Sequence, residues 1–397
     1  MKPVTDGHKV SRQKLAYLID ATAAPICMIA PISSWAAAVS STAEGLGTGI
    51  SGIELFVRAI PYNFYSLLTF VFIISIVVMK FDFGAMKKYE IKAQKTGDVS
   101  GLPGSETTSE IANPKGRVID LIIPVVVLVI TCVLGMIYVG GYFPTYMGEA
   151  TEYAGDFIGA FGNTDAFVGL PWGGIIALLF TIIYMVCRRV ISFKEAMKCV
   201  EKGFIAMIPP ILILTLAVSL KNMTGLLGAD VFIGNVMTGA AASLYNLLPA
   251  VIFIVACVVA FATGTSWGTF GILIPIVTAI FPADSTLLII GISAACAGAV
   301  CGDHCSPISD TTIMSSAGAQ CDHITHVSTQ LPYAITVAAL SFVSFIIAGF
   351  VQNAIIALIV GVVLTVGTLL VLKRLEAKKD LKGDSPSTPE APVEAEA

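Results

Sequence analysis

Long apolar stretches separated by short polar segments recur along the whole chain. They lie at residues 15–39, 53–79, 118–140, 168–187, 204–221, 247–282, 285–301, 331–351 and 353–372. Most approach or exceed the length of about twenty residues that a helix needs to cross a bilayer. The pattern predicts an all-α polytopic membrane protein with about nine to ten transmembrane helices.

The composition agrees with this class of protein. Hydrophobic residues make up 56% of the 397 residues and charged residues 13%, whereas soluble domains carry about 25% charged residues. The nine cysteines are scattered and form no C-x-x-C pair, so we interpret them as buried apolar residues and not as disulfides. No basic segment is interleaved with aromatic residues. We therefore expect the lipid bilayer, and no nucleic acid, as a partner.

The charged segments indicate an orientation. Residues 80–117 and 188–203 are basic, whereas 141–166 carry four acidic residues and no Lys or Arg. The positive-inside rule then predicts a cytoplasmic polar loop at 80–117 and cytoplasmic N- and C-termini. Residues 373–397 are rich in Pro, Glu, Ser and Ala, which predicts a disordered cytoplasmic tail.

One polar segment stands within the apolar second half. Residues 301–326, "CGDHCSPISDTTIMSSAGAQCDHITH", hold three Asp, three Cys and three of the four His of the chain. An Asp at the centre of a bilayer costs about 2.5–3.5 kcal/mol, so such residues usually face a cavity or a partner. Segment 301–330 is therefore a candidate ion-binding segment. An ordinary surface loop, where these carboxylates cost nothing, is the alternative.

A second candidate segment is "FATGTSWGTFGILIPI", residues 261–276, where glycines interrupt an apolar run. Backbone that leaves the helix at membrane depth is tolerated where it lines a cavity, and its carbonyls and hydroxyls suit a small hard cation. Interrupted helices that meet near the midplane form the ion sites of many secondary transporters. A helix-packing face of the Gly-x-x-x-Gly kind, from Gly264 to Gly268, is the alternative.

A weak internal sequence repeat is present near the two ends of the chain. Asp20 with Thr22 resembles Asp310 with Thr311, and a Pro-Tyr pair follows each of them before an apolar stretch. Weak internal symmetry is typical of transporters built from two inverted repeats. We expect residues 1–79 to be the remainder of a first repeat, 118–203 linking helices and 204–372 the second repeat. In the second repeat, the glycine break at 261–276 precedes Asp310, whereas no such break precedes Asp20. We therefore expect further membrane spans before residue 1.

A zinc site is a weaker reading of the polar segment. Its candidate ligands would be Cys301, His304, Cys305, Cys321, His323 and His326. Their spacing fits no common zinc motif, and Asp, Ser and Thr oxygens suit Na⁺ better than thiolates do. We expect no bound metal apart from transported Na⁺.

Three stretches resemble the NhaC family of bacterial sodium/proton antiporters. They are "SRQKLAYLIDATAAPICMIAPISSW", "ATGTSWGTFGILIPI" and "CGDHCSPISDTTIMSSAGAQCDHITHVSTQLPYA". The resemblance covers most of residues 2–372. It implies a secondary transporter of the bacterial cytoplasmic (inner) membrane that exchanges Na⁺ for H⁺ and needs no cofactor. Some relatives exchange malate, lactate or other organic anions. A homodimer is compatible with this class.

The predicted mechanism is competition between Na⁺ and H⁺ at one buried carboxylate site. Burial raises the pKa of a carboxylate, which makes such competition workable near neutral pH. We expect Asp310 to bind the ion, with Asp20 helping from the other repeat. The other predicted site residues are Ser309, Thr311, Thr312, Thr265, Ser266 and Thr22, with Asp303 and His304 as a second layer or proton path.

Two other functions are alternatives to cation exchange. A Na⁺-coupled exchanger of organic anions or amino acids would need a cationic residue at its site, and the apolar half offers few. An intramembrane aspartyl protease would use two membrane Asp, but its Tyr-Asp and Gly-x-Gly-Asp signatures are absent from the sequence. The sequence therefore predicts a transporter and no enzyme.

Overall fold

A computed structural model describes residues 2–30, 35, 39, 52–100, 116–117, 119–146, 149–162, 164–228 and 245–381. The helices of its N-terminal part are α1 (Lys2–Gly7), α2 (Arg12–Ala21), α3 (Ala24–Cys27), α4 (Gly52–Ala59), α5 (Phe64–Met79) and α6 (Gly84–Thr96). The central helices are α7 (Ile119–Val139), α8 (Phe157–Gly162), α9 (Ala166–Cys187) and α10 (Phe193–Leu226). The C-terminal helices are α11 (Leu248–Thr263), α12 (Ser266–Ile280), α13 (Thr286–Cys305), α14 (Asp310–Ala319), α15 (His323–Val351) and α16 (Ala354–Leu381).

The fold confirms the predicted class of all-α polytopic membrane protein. Within the described ranges, six segments are long and apolar enough to cross a membrane: Phe64–Thr96, Ile119–Val139, Val168–Cys187, Thr286–Cys305, His323–Val351 and Ala354–Lys378. Helices α11 and α12 are apolar but shorter. The predicted stretch 53–79 is divided between α4 and α5 by a 3-10 turn, and 247–282 is divided between α11 and α12. Part of 15–39 lies outside the described residues.

The chain divides into two compact units. The first unit comprises Met1–Pro31, Thr42–Thr107 and Pro210–Ala397, and the second comprises Ile32–Ser41 and Thr108–Pro209. In the second unit, α7 and α9 pack closely because glycines lie at their contact. A Cβ on Gly173 would stand 2.6 Å from the backbone nitrogen of Cys132. The second unit also contains a short antiparallel hairpin of β1 (Thr145–Tyr146) and β2 (Glu149–Ala150).

In the first unit, the glycine pattern at 261–276 interrupts a helix as predicted. Helix α11 ends at Thr263, and its C-cap Gly264 has a φ of 64°, in the left-handed region that favours glycine. Thr265 is extended, and α12 begins at Ser266. A second interruption, at residues 306–309, separates α13 from α14. Each interruption leaves the first turn of a new helix with backbone N–H groups that no helical carbonyl satisfies.

Helix α2 packs against α14, which carries the C-terminal polar segment. Leu15 and Ala16 form a buried cluster with Ala319, and Arg12 Nη1 donates to the carbonyl of Gln320 at 3.4 Å. The start of α2 therefore lies against the end of α14. This arrangement brings Asp20, near the end of α2, toward the start of α14.

Two predictions about polar segments were wrong in part. The predicted loop 80–117 contains α6, whose sequence "AMKKYEIKAQK" is rich in good helix formers. The predicted disordered tail begins too early, since α16 continues to Leu381. An ion pair of 2.9 Å between Lys87 and Glu376 joins these two helices. Residues 101–115 and 382–397 lie outside the described residues.

Candidate functional site

The two helix interruptions of the first unit lie against each other. A Cβ on Gly264 would stand 2.8 Å from the carbonyl oxygen of Ile308, so only glycine allows this approach. The hydroxyl of Ser306 donates to the carbonyl of Phe261 at 2.8 Å. The N-termini of α12 and α14 are thereby positioned next to the last turn of α13. Helix N-termini carry partial positive charge and favour nearby carboxylates.

Asp303 occupies that last turn and is 1% exposed. Its Oδ2 atom accepts a hydrogen bond of 2.7 Å from the hydroxyl of Ser266, the first residue of α12. The same hydroxyl lies 3.1 Å from the carbonyl of Ala299. The Oδ1 atom of Asp303 is buried and has no hydrogen-bond partner among the described residues. An acceptor of this kind is available to a cation or a proton.

Asp310 is the first residue of α14 and interacts electrostatically with Asp303 and Asp20. Its side chain is exposed, and Oδ1 accepts from the backbone N–H of Thr311 at 2.8 Å. The hydroxyls of Ser309 and Thr311 lie 3.0 Å apart. The hydroxyl of Thr312 is buried without a hydrogen-bond partner among the described residues. This turn therefore collects several hard oxygen donors, which suit a small cation.

Asp20 is buried between two histidines. Its Oδ2 atom lies 3.4 Å from Nε2 of His326 and 4.0 Å from Nε2 of His304. Both carboxyl oxygens lack a hydrogen-bond partner in the described part of the chain. Removing an uncompensated carboxylate from water costs several kcal/mol. The charge of Asp20 is therefore closely tied to the protonation of the two imidazoles.

His304 is held from several sides. Its Nδ1 atom lies 2.8 Å from the hydroxyl of Tyr65, and its ring stacks on Tyr17 with centroids 6.1 Å apart. Its backbone carbonyl accepts a hydrogen bond of 2.7 Å from Nε2 of Gln330. These contacts fix the ring and leave Nε2 directed toward Asp20.

The structure brings most of the predicted site residues together. Asp20, Asp303, Asp310, His304 and Ser266 converge, although their roles stay predictions. One predicted residue uses its hydroxyl elsewhere, since Thr22 donates to the carbonyl of Leu18 at 2.6 Å. The side chain of Thr265 makes no capping hydrogen bond at the start of α12.

The sequence predicted His326 only as a candidate zinc ligand and did not predict Gln330 or Tyr65 as site residues. A signal for the first two exists in the sequence, since Asp322, the N-cap of α15, is followed at every fourth residue by His326 and Gln330. No comparable pattern marks Tyr65, which reaches His304 only through tertiary packing.

In the described ranges, no group of three or more His, Cys, Asp or Glu is arranged to hold a metal ion. His323, a ligand in the zinc reading, instead contacts the carbonyl of Pro307 at 2.6 Å. Burial, with a smaller contribution from Asp322, raises the pKa of the Cys321 thiol to about 12.

The sequence profile of the Na⁺/H⁺ antiporter family matches residues 2–350, and the chain belongs to this family. An uncharacterized protein of Haemophilus influenzae is 37% identical over 358 residues, which cover 89% of this chain and 66% of that protein. The malate-2H⁺/Na⁺-lactate antiporter of Bacillus subtilis is 32% identical over 100 residues, or 25% of this chain and 21% of that protein. The chain thus spans less than two thirds of the length of either relative. No solved structure matches it.

Proposed function

We propose that the protein exchanges Na⁺ for H⁺ across the membrane at the crossing of the two helix interruptions. The observation that carries the proposal is the position of Asp303 and Asp310 at this crossing, beside the N-termini of α12 and α14 and the hydroxyl of Ser266. Membership of the Na⁺/H⁺ antiporter family supports the same function.

The proposed exchange is a competition for the two carboxylates. When they are ionised, Asp303 and Asp310 bind Na⁺ together with hydroxyl oxygens from Ser266, Ser309 and Thr311. When they are protonated, they lose the charge that holds the cation, and Na⁺ leaves. Helix N-termini next to the site lower the cost of two ionised carboxylates in the empty carrier. The same positive ends weaken the hold on Na⁺, which favours turnover over permanent binding.

We further propose the bacterial cytoplasmic membrane as the location, with both termini on the cytoplasmic side. The basic residues of α6 and of the end of α16 support this orientation by the positive-inside rule. The ion pair between Lys87 and Glu376 joins these two segments, as expected if both lie on the same side of the membrane.

Exchange of small organic anions is the second candidate function. The printed name of the Bacillus subtilis relative, a malate-2H⁺/Na⁺-lactate antiporter, favours it. A carboxylate substrate would need positive charge at the site. His304 and His326 could supply that charge only in their protonated forms, so an organic anion would enter together with protons.

The test uses inverted membrane vesicles that contain the protein, with a dye that reports the internal pH. Addition of NaCl should move protons in vesicles with the unchanged chain, and Asp303→Asn and Asp310→Asn should each abolish the signal. Asp284→Asn is the matched control, since Asp284 is an exposed residue on the turn between α12 and α13. Exchange that persists in both site variants would refute the assignment. A response that requires added malate or lactate would favour the second function.

A further inference from the structure

His326 is a fully buried histidine whose ring makes no hydrogen bond among the described residues. Its side chain is 0% exposed, and neither Nδ1 nor Nε2 has a partner there. Buried polar atoms in folded proteins are nearly always paired, so each exception needs a reason. The nearest charged atom is Oδ2 of Asp20, at 3.4 Å. This separation permits strong attraction once the imidazole is protonated.

His323, one turn earlier in α15, is a histidine with a structural role and provides a comparison for His326. Its Nε2 atom contacts the carbonyl of Pro307 at 2.6 Å, and its Nδ1 atom contacts the hydroxyl of Ser316 at 3.1 Å. Both ring nitrogens are thus occupied in fastening α15 to α14 and to the preceding interruption. The free ring nitrogens of His326 have no such fastening role.

The charged and polar groups near His326 and Asp20 determine how the charge of the buried carboxylate is balanced. His326 and His304 both lie against Asp20 of α2, and His304 also contacts Tyr17 of α2 and Tyr65 of α5. Asp303 of α13 and Asp310 of α14 interact electrostatically with Asp20. In the described part of the chain, Asp20 forms ion pairs only with the two histidines. A proton on one of these three groups is therefore needed to neutralise the buried carboxylate.

Of the two histidines, His326 is the better proton carrier. His304 already uses Nδ1 with Tyr65 and lies farther from Asp20, at 4.0 Å. The Nε2 atom of His326 lies closer to this carboxylate, at 3.4 Å, and its Nδ1 atom has no hydrogen-bond partner among the described residues.

We propose that His326, with Asp20 as its counter-ion, carries a proton that is exchanged for Na⁺, while Asp303 and Asp310 hold the cation. This inference rests on the proposed function. The imidazolium of His326 gives up its Nε2 proton to water and becomes neutral when Na⁺ enters beside Asp303. The added positive charge of Na⁺ compensates the nearby carboxylates and makes the imidazolium unfavourable. Cation and proton thus occupy neighbouring positions that are coupled electrostatically.

The experiment measures proton release when Na⁺ binds to the purified full chain in detergent. NaCl is added to weakly buffered protein between pH 5.5 and 9, a pH dye reports the released protons, and ²²Na⁺ reports binding; choline chloride is the salt control. His326→Gln should release about one proton fewer per Na⁺ than the unchanged chain below neutral pH, while its affinity for Na⁺ at pH 9 changes by less than about threefold. His8→Gln, on an exposed residue, should match the unchanged chain.

A second variant keeps the test decisive if His326→Gln does not remain monodisperse. Asp20→Asn removes the counter-ion that favours the imidazolium, so this variant should also release fewer protons per Na⁺ than the unchanged chain. Equal proton release in His326→Gln and the unchanged chain would overturn the inference, as would loss of Na⁺ binding at pH 9 in His326→Gln or unchanged proton release in Asp20→Asn. If the unchanged chain itself binds no Na⁺, the proposed function fails as well.

Discussion

The ammonium group of Lys14 lies 2.7 Å from Oδ2 of Asp82, and both side chains are largely buried. Lys14 also lies 3.8 Å from Glu90 of α6. The other carboxyl oxygen of Asp82 accepts a hydrogen bond of 2.7 Å from the hydroxyl of Tyr333 in α15. One carboxylate thus ties the start of α2 to α15, and these two helices carry Asp20 and His326.

Loss of Lys14 should therefore destabilise the first unit. In Lys14→Met, Asp82 and Glu90 lose their cation while they stay largely buried, so the free energy of unfolding should fall by about 2 kcal/mol. Thermal unfolding of the purified protein in detergent measures the change. Arg58→Met is the control, because its ion pair with Glu54 is about half exposed and should be worth less than about 1 kcal/mol. Equal losses in the two variants would contradict the prediction.

Gly264 should tolerate no side chain. In Gly264→Ala, the new Cβ would meet the backbone of Ile308, and alanine would be forced to a positive φ. We expect the free energy of unfolding to fall by about 1–3 kcal/mol. We also expect the rate of Na⁺/H⁺ exchange to be strongly reduced, since the two interruptions would separate. Gly271→Ala, with open space at the Cβ position, should keep both properties. Transport in vesicles and unfolding in detergent are measured side by side; a Gly264→Ala protein with unchanged exchange would refute this view of the crossing.

Removal of the Ser266 hydroxyl should weaken the binding of Na⁺. In Ser266→Ala, Asp303 loses its hydrogen bond and a potential cation ligand, so the half-saturating Na⁺ concentration should rise about tenfold, as expected for a bond to a charged group. Equilibrium binding of ²²Na⁺ measures the shift. Thr278→Val serves as the comparison, because that hydroxyl donates to the carbonyl of Pro275 within its own helix. An unchanged affinity in Ser266→Ala would exclude this hydroxyl from the site.

The second unit offers a separate test of helix packing. Gly173→Ala places a methyl group against the backbone of Cys132, whereas the adjacent Gly174→Ala meets nothing within 4 Å. Overpacking of this kind costs about 1–3 kcal/mol, so Gly173→Ala should unfold at a lower temperature than Gly174→Ala. Similar unfolding temperatures would mean that α7 and α9 do not need this close contact.

Much of the site follows from local sequence. Gly264 predicts the interruption before Ser266, because glycine readily adopts the positive φ that ends a helix and its polar neighbours break the apolar run. The presence of Asp303 and Asp310 in an apolar half of the chain marks them as candidate site residues, since a carboxylate within a membrane is costly and usually has a functional role. Hydropathy likewise marks the longest spans. It fails at α6 and at the end of α16, because helices built from Lys, Glu and Ala look like polar loops by hydropathy alone.

The sequence by itself determined which segments are apolar, where the backbone leaves the helix and which carboxylates need a partner. These properties depend on the chemistry of neighbouring residues. Only the tertiary structure decided that Asp20 faces His304 and His326, that Tyr65 orients one of these rings, and that Asp82 links α2 to α15. Those contacts join residues far apart in the chain, and no local pattern specifies which apolar helices pack together. The pairing of Asp20 with His326 follows from the packing of α2 beside α14 and α15.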